Sequence, residues 1–282
     1  MFLLYKLQYN GYYFQYHFFG LVFPTKTYVQ FQGANYGLNI APKMDKNDQV
    51  LFGFFTKDYE RLKNLGFNLH RTIDFGMFSF LAIPILWLLK KLFFIGDNYG
   101  LAIILLTLLI RLITFPLQFS SLKGMKRMQK LQPEIAKLKE RFKDDPVSMQ
   151  KETMELFKRH KVNPLSGCLP LLLQMPVFFA LYSVLYNSVE LLHAPFYFWI
   201  HDLSLKDPFY VLPVMMTASM FFQQKITPST ITDKTQQKIM LFMPLIFGFF
   251  MKDLPSGLNL YILVSTCAGI GQQFFVFNRI KS

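Results

Sequence analysis

Thr107–Leu117 reads TLLIRLITFPL, one arginine inside an apolar run. The run extends from Tyr99 to Phe119, and Arg111 is its only charge. Its 21 residues make a helix of about 31 Å, enough to cross a typical hydrocarbon core. Arg111 lies eight residues, roughly 12 Å, from the C-terminal end of that helix. Snorkelling of the side chain recovers about half of this distance, so the guanidinium stays within the hydrocarbon zone. Leaving it in bare lipid costs ~2.5–3.5 kcal/mol on insertion scales and ~10–17 kcal/mol in simulations. Either figure calls for water or a buried partner. Thr107, four residues earlier, shares the face of Arg111.

Four further apolar runs follow: Leu169–Val189, Phe209–Phe222, Ile239–Met251 and Leu258–Phe277. None of the five contains Asp or Glu, which disfavours an intramembrane ion pair and makes a hydrated cavity the preferred setting for Arg111. Gln174 and Thr266 are candidate co-lining groups, although each is also an ordinary candidate for a helix–helix hydrogen bond. Ile239–Met251 spans only about 20 Å as a helix. It reads as a short span or a re-entrant segment, and the short span agrees better with the loops around it. Spans this short would thin the bilayer locally, unless Gln223, Gln224, Gln236 and Gln237 lengthen the helices.

Charge sets an orientation. The chain has 282 residues and a net charge of +13. Ser120–Val162 carries twelve Lys/Arg and six Asp/Glu, whereas Glu190–Pro208 carries only Lys206 on the basic side. Lys225, Lys234 and Lys238 enrich the next loop, a single lysine follows in Lys252–Gly257, and Arg279 and Lys281 lie in the tail. The positive-inside rule places 120–162, 225–238 and the tail in the cytoplasm, and residues 1–98 outside. Within 120–162, Met125, Met128, Leu131, Ile135 and Leu138 form an amphipathic stripe. Asp144–Asp145–Pro146 interrupts it, and Met149, Met154, Leu156 and Phe157 follow on a second helix. An antiparallel hairpin results, either a solvated spacer or a landing surface for an anionic partner.

Residues 1–73 differ in character. Tyr12–Phe23, Thr27–Gln32 and Asp48–Thr56 alternate or cluster apolar residues between Gly, Asn and Pro, as short strands between turns do. Phe75–Phe94 is apolar and carries Trp87, Lys90 and Lys91, which fits a helix lying in the interface, with a true span as the alternative. No metal-ligand spacing and no HExxH, GxSxG, P-loop or GxGxxG motif occurs, so neither an enzyme nor a cofactor is expected. A polytopic channel or transporter is the rival class, and the lack of intramembrane carboxylates argues against ion coupling.

Four further stretches carry a family resemblance. They are NPLSGCLPLLLQMPVFF (Asn163–Phe179), APFYFWIHDLSLKDPFYVLP (Ala194–Pro213), QQKIMLFMPLIF (Gln236–Phe247) and PSGLNLYILVS (Pro255–Ser265). With Thr107–Leu117 they resemble the YidC membrane protein insertase family from about Asp74 to Lys281. The resemblance implies an all-α polytopic membrane protein of five transmembrane helices, with a cytoplasmic hairpin (120–162) and an interfacial helix (74–97). The core occupies 98–282, with spans near 99–119, 169–189, 209–222, 239–251 and 258–277. Residues 1–73 become the remnant of a periplasmic β-sandwich that a first membrane span precedes in Gram-negative members. The function implied is insertion and folding of nascent inner-membrane proteins through a hydrophilic groove open to the cytoplasm, alone or with the Sec translocon.

By the same resemblance, Arg111, Thr107, Gln174, Tyr261 and Thr266 line the groove. Met175, Phe178 and Phe250 form the slide into lipid. Asp233 and Asp144 contact the ribosome or targeting machinery. Two positions depart from the family pattern: Ile262 follows Tyr261 where a second aromatic is common, and Thr266 stands where Asn is frequent. Nascent membrane proteins, the Sec translocon, the ribosome with its targeting machinery, and the phospholipid bilayer are the implied partners. The implied location is the bacterial inner membrane, with the amino-terminal part periplasmic and the carboxy terminus cytoplasmic.

Overall fold

The computed structural model describes residues 2–5, 17–22, 51–56, 58–64, 73, 75–143, 145–167, 169–228 and 234–281. It divides into two units, one of residues 1–76 with 187–190, the other of 77–186 with 191–282. In the first unit, β1 (Phe2–Tyr5), β2 (His17–Val22) and β3 (Leu51–Thr56) form an antiparallel sheet in that order. Phe2 pairs with Val22 and His17 with Thr56, and Gly20 lies opposite Gly53. The sequence leads to β2 and β3. The strand expected at Thr27–Gln32 lies outside the described residues, which hold a single three-stranded sheet and no second sheet of a sandwich. A short helix, α1 (Tyr59–Asn64), follows, with the Asp58 carboxylate accepting from Arg61 N at 3.1 Å.

The second unit is helical. α2 (Ser79–Gly96) buries Ala82, Ile85, Leu86 and Leu89, one stripe at helical spacing, and leaves Phe80, Trp87 and Phe94 exposed. α3 runs unbroken from Tyr99 to Arg141, 43 residues or about 64 Å. Its N-terminus is fixed by Asn98, whose Oδ1 accepts from Gly100 N at 2.8 Å and Leu101 N at 3.2 Å. Gly100 sits against the Phe196 ring and leaves no room for a Cβ. The sequence reading places a boundary between a span ending at 119 and a hairpin starting at 120. The structure shows no boundary there: the apolar run ends at Phe119, but nothing in Ser120–Gly124 terminates a helix, and Pro116 and Pro133 are both carried within it.

The stripe on the second half of α3 divides between two neighbours. Met128, Leu131 and Ile135 pack with Val162, Leu156 and Phe157, closing α3 against α4 (Pro146–Arg159). Leu122 and Met125 pack instead on Val276, from the last helix. Met154 of α4 faces outward.

The remaining helices are α5 (Leu169–Asn187), α6 (Val211–Ile226), α7 (Lys234–Met251) and α8 (Ser256–Lys281). α3 packs on α2 and α8, and α6 packs on α7 and α8. Gly248 brings α7 against Thr217 of α6 too closely for a Cβ. Buried Asp207 starts α6, with Oδ2 accepting from Leu212 N at 2.7 Å and Oδ1 from Phe209 N and Trp199 Nε1, each at 3.0 Å. Ser256 N and Gly257 N donate to Leu205 O and Leu203 O, which seats the start of α8 under the 191–210 loop.

Gln223 and Gln224 lie within α6, and Gln236 and Gln237 within α7. α7 therefore measures about 27 Å rather than the 20 Å of its apolar run. Gly76–Gly96, Tyr99–Arg141 and Ser256–Arg279 are long and apolar enough to cross a membrane, while Leu172–Asn187 and Gln237–Met251 are shorter apolar helices. The first of these segments is the one expected to lie in the interface. Its length and composition meet the requirement for a span.

Asp145 caps α4: its Oδ1 accepts from Ser148 N at 3.0 Å, and hydrogen bonds from Ser148 hold its carboxyl below the usual carboxylate range. A lowered folded-state pKa contributes stability above the ordinary carboxylate value, and that stability is lost as pH falls through the lowered one. Hydrogen exchange of a peptide covering 146–159 should be several-fold slower in the native chain than in Asp145→Ala at neutral pH. The difference should vanish in acid, and Asp145→Asn should remove most of the pH dependence.

Candidate functional site

Arg111 is half-buried on the face of α3 that meets α8. Its Nε donates to Ser265 Oγ at 2.9 Å and its Nη1 to Gln118 Oε1 at 3.1 Å. Gln118 is steadied from its own helix, donating through Nε2 to Thr114 Oγ1 at 2.9 Å. Gln272 Nε2 donates to the backbone carbonyl of Arg111 at 3.0 Å, a second tie from α8. The Gly269 backbone of α8 approaches closely here. A Cβ at Gly269 would stand 2.7 Å from Gln223 Nε2 and 3.2 Å from Arg111 Nη1.

A third helix joins through α5. Gln174 Nε2 donates to Tyr261 Oη at 2.6 Å and to Ser265 Oγ at 3.2 Å. Ser265 Oγ thus accepts from both Arg111 and Gln174, and Tyr261 is buried one turn before it. Arg111, Gln174 and Tyr261 are brought together as one hydrogen-bonded cluster. Thr107 and Thr266 are not members: each is buried, and each hydroxyl donates to a carbonyl four residues back on its own helix, Ile103 O at 2.6 Å and Ile262 O at 2.7 Å. Ser265, Gln118 and Gln272 complete the cluster, and the sequence reading did not single them out. Spacing holds the signal: Tyr261 and Ser265 share one face of α8, as do Thr114 and Gln118 of α3.

Among the described residues, every ion pair lies elsewhere, and no carboxylate pairs with Arg111. The guanidinium is met by neutral oxygens, which orient it without cancelling its charge. A charged donor bound to a neutral acceptor contributes about 1.5–3 kcal/mol when partly buried.

The expected slide residues face outward or partly so. Met175 is 43% exposed and Phe250 69%, while Phe178 is half-buried with its ring 5.6 Å from that of Phe179. On α5, Leu172, Met175 and Phe179 are exposed on one stripe. Asp144 and Asp233 lie outside the described residues.

The cluster separates two serine/threonine neighbours cleanly. Ser265→Ala should lower stability in detergent by about 1.5–3 kcal/mol, because it strands the Nε donor. Thr266→Val removes only a hydroxyl bonded within its own helix, and should cost under about 1 kcal/mol. Thermal unfolding of the purified variants measures both.

Residues 89–282 match the model of the 60Kd inner membrane protein family. A protein named membrane protein insertase YidC from Geobacter sp. (strain M21) is 47% identical over 86% of this chain and 45% of its own length. Its namesake from Syntrophus aciditrophicus (strain SB) is 50% identical over 79% of this chain and 42% of that protein. A third, from Francisella tularensis subsp. novicida (strain U112), is 48% identical over 89% and 45%. The chain therefore spans a little under half the length of the curated relatives it matches. Its fold is similar to a crystal structure of an active YidC insertase with the first transmembrane domain resolved, with a TM-score of 0.59 at 22% identity, over 91% of this chain and 63% of the other. On a family match that covers the helical unit from the second half of α2 to its last residue, this chain belongs to the 60Kd inner membrane protein family.

Proposed function

We propose that this chain is the core of a membrane protein insertase that moves nascent inner-membrane proteins from the cytoplasm into the bilayer without covalent chemistry or a cofactor. One observation carries the reading: a guanidinium on a spanning helix, held by the neutral oxygens of Ser265 and Gln118 with no carboxylate partner among the described residues. Such a charge attracts an acidic or polar segment of a substrate, and apolar partitioning drives the rest of that substrate into lipid.

In this reading α3, α5, α6, α7 and α8 are the five core spans, and α2 lies along the interface. Basic loops put the α3–α4 hairpin and the carboxy terminus in the cytoplasm and residues 1–73 in the periplasm, as part of a β domain. Arg111, Gln174 and Tyr261 form the polar wall of a groove open to the cytoplasm, with Thr107 and Thr266 flanking it. Met175 and Phe178 on α5 and Phe250 on α7 offer the apolar exit to lipid. The hairpin, Asp144 and Asp233 receive the ribosome and targeting machinery, and the Sec translocon is an optional partner. More than half of each relative's length lies outside the matched part, which makes activity of this chain alone the decisive question.

Reconstituted insertion of a single-span test protein with an acidic tail answers it. Arg111→Lys should keep most insertion, and Arg111→Ala should lose it several-fold, with a smaller loss for a neutral-tailed substrate. Equal activity of the two variants would overturn the electrostatic step. Ion flux through protein-containing liposomes without substrate would favour a channel instead.

A further inference from the structure

Leu112, Phe115, Ala268, Gly271, Gln272 and Phe275 line an open, mainly apolar hollow of about 390 Å³ between α3 and α8. Gln272 belongs both to its wall and to the Arg111 cluster. Leu112 on its wall is 72% exposed, and a Cβ added at Gly271 would meet nothing within 4 Å. Gln272 turns its amide nitrogen inward, to the Arg111 carbonyl.

Two cations lie beyond this hollow toward the C-terminal end of α8. Arg279 lies eight residues beyond Gly271, about 12 Å along α8, with its guanidinium 5.1 Å from the centre of the Phe275 ring. Lys126 of α3 reaches the same level, donating to Phe277 O at 3.1 Å with its ammonium 5.6 Å from the Phe277 ring. The ring of Phe115 lies 6.0 Å from that of Phe275, so the ring that Arg279 covers is also part of the wall of the hollow.

We propose that this surface binds one anionic phospholipid, its acyl chain in the hollow and its phosphate beside Arg279 and Lys126. The inference rests on the reading of α3 and α8 as spans. The separation fits, because one leaflet of a typical hydrocarbon core is about 15 Å thick. An apolar hollow alone accepts any acyl chain, and the cationic border at headgroup depth is what selects charge. A lipid seated there lies against the back of Gln272 and the helix that carries Ser265, and so supports the α3–α8 contact that orients Arg111.

Native mass spectrometry of the detergent-solubilised full chain tests this, with equimolar dioleoyl-phosphatidylglycerol and dioleoyl-phosphatidylcholine. One phosphatidylglycerol should be retained several-fold in preference to phosphatidylcholine. Gly271→Leu, which fills the hollow, should lower retention of both lipids several-fold. Arg279→Gln should lower phosphatidylglycerol retention to the level of phosphatidylcholine and so erase the preference. Lipid retention is read without substrate or insertion, so that either idea can fail alone. Unchanged phosphatidylglycerol retention in both Gly271→Leu and Arg279→Gln would overturn the site. A photo-crosslinker at Leu112 that captures a protein helix in native membranes, rather than lipid, would also overturn it.

Discussion

A guanidinium placed inside an apolar helix constrains everything around it. Arg111 cannot lose its proton at any ordinary pH, and bare hydrocarbon would cost it several kcal/mol. The structure meets that requirement with side-chain oxygens from two directions, Gln118 on its own helix and Ser265 on α8. Those bonds set the rotation of α3 and α8 about their axes. Gly269 suits the same contact, since a Cβ there would displace the Gln223 amide and crowd the guanidinium. Gln174 adds α5 to the same point through Tyr261 and Ser265. Three helices with little polar surface are thus located by one charge.

The length of α3 is the second organising fact. A helix of 43 residues is about twice as long as a hydrocarbon core is thick. Its first half carries Arg111, and its second half carries the stripe that holds α4. Because no break separates them, the hairpin is an extension of the spanning helix rather than a module on a linker. The stripe itself is shared: Leu122 and Met125 belong to the α8 contact, and only Met128, Leu131 and Ile135 belong to α4.

Much of this was legible from the residues. Long uncharged runs identify the helices, because hydrophobicity over a span length is a strong signal. Arg111 and Gln174 are conspicuous for the same reason, as polar groups in apolar surroundings. Helix ends were less legible. An apolar run stops where the surroundings become polar, whereas a helix stops where backbone bonding fails, and Ser120–Gly124 shows that the two need not coincide. Ser265 went unassigned because a serine in an apolar helix usually bonds its own backbone. Thr107 and Thr266 do just that, although the sequence puts them near the arginine. Which hydroxyl turns outward depends on what the facing helix offers, and that is a property of the packed pair.

Neutral partners also differ from a carboxylate in what they leave available. A buried aspartate beside Arg111 would form a pair whose dissociation strands a charge, at a cost of about 3–5 kcal/mol. A substrate carboxylate would have to meet that cost before binding. Ser265 and Gln118 take two of the five guanidinium donors and contribute no opposing charge. The cation is oriented, and its charge is left uncancelled. In the proposed role this is the useful compromise, since a transient client must be attracted strongly enough to enter and weakly enough to leave for lipid. An insertase built on a permanent ion pair would hold its arginine more firmly and attract its substrate less.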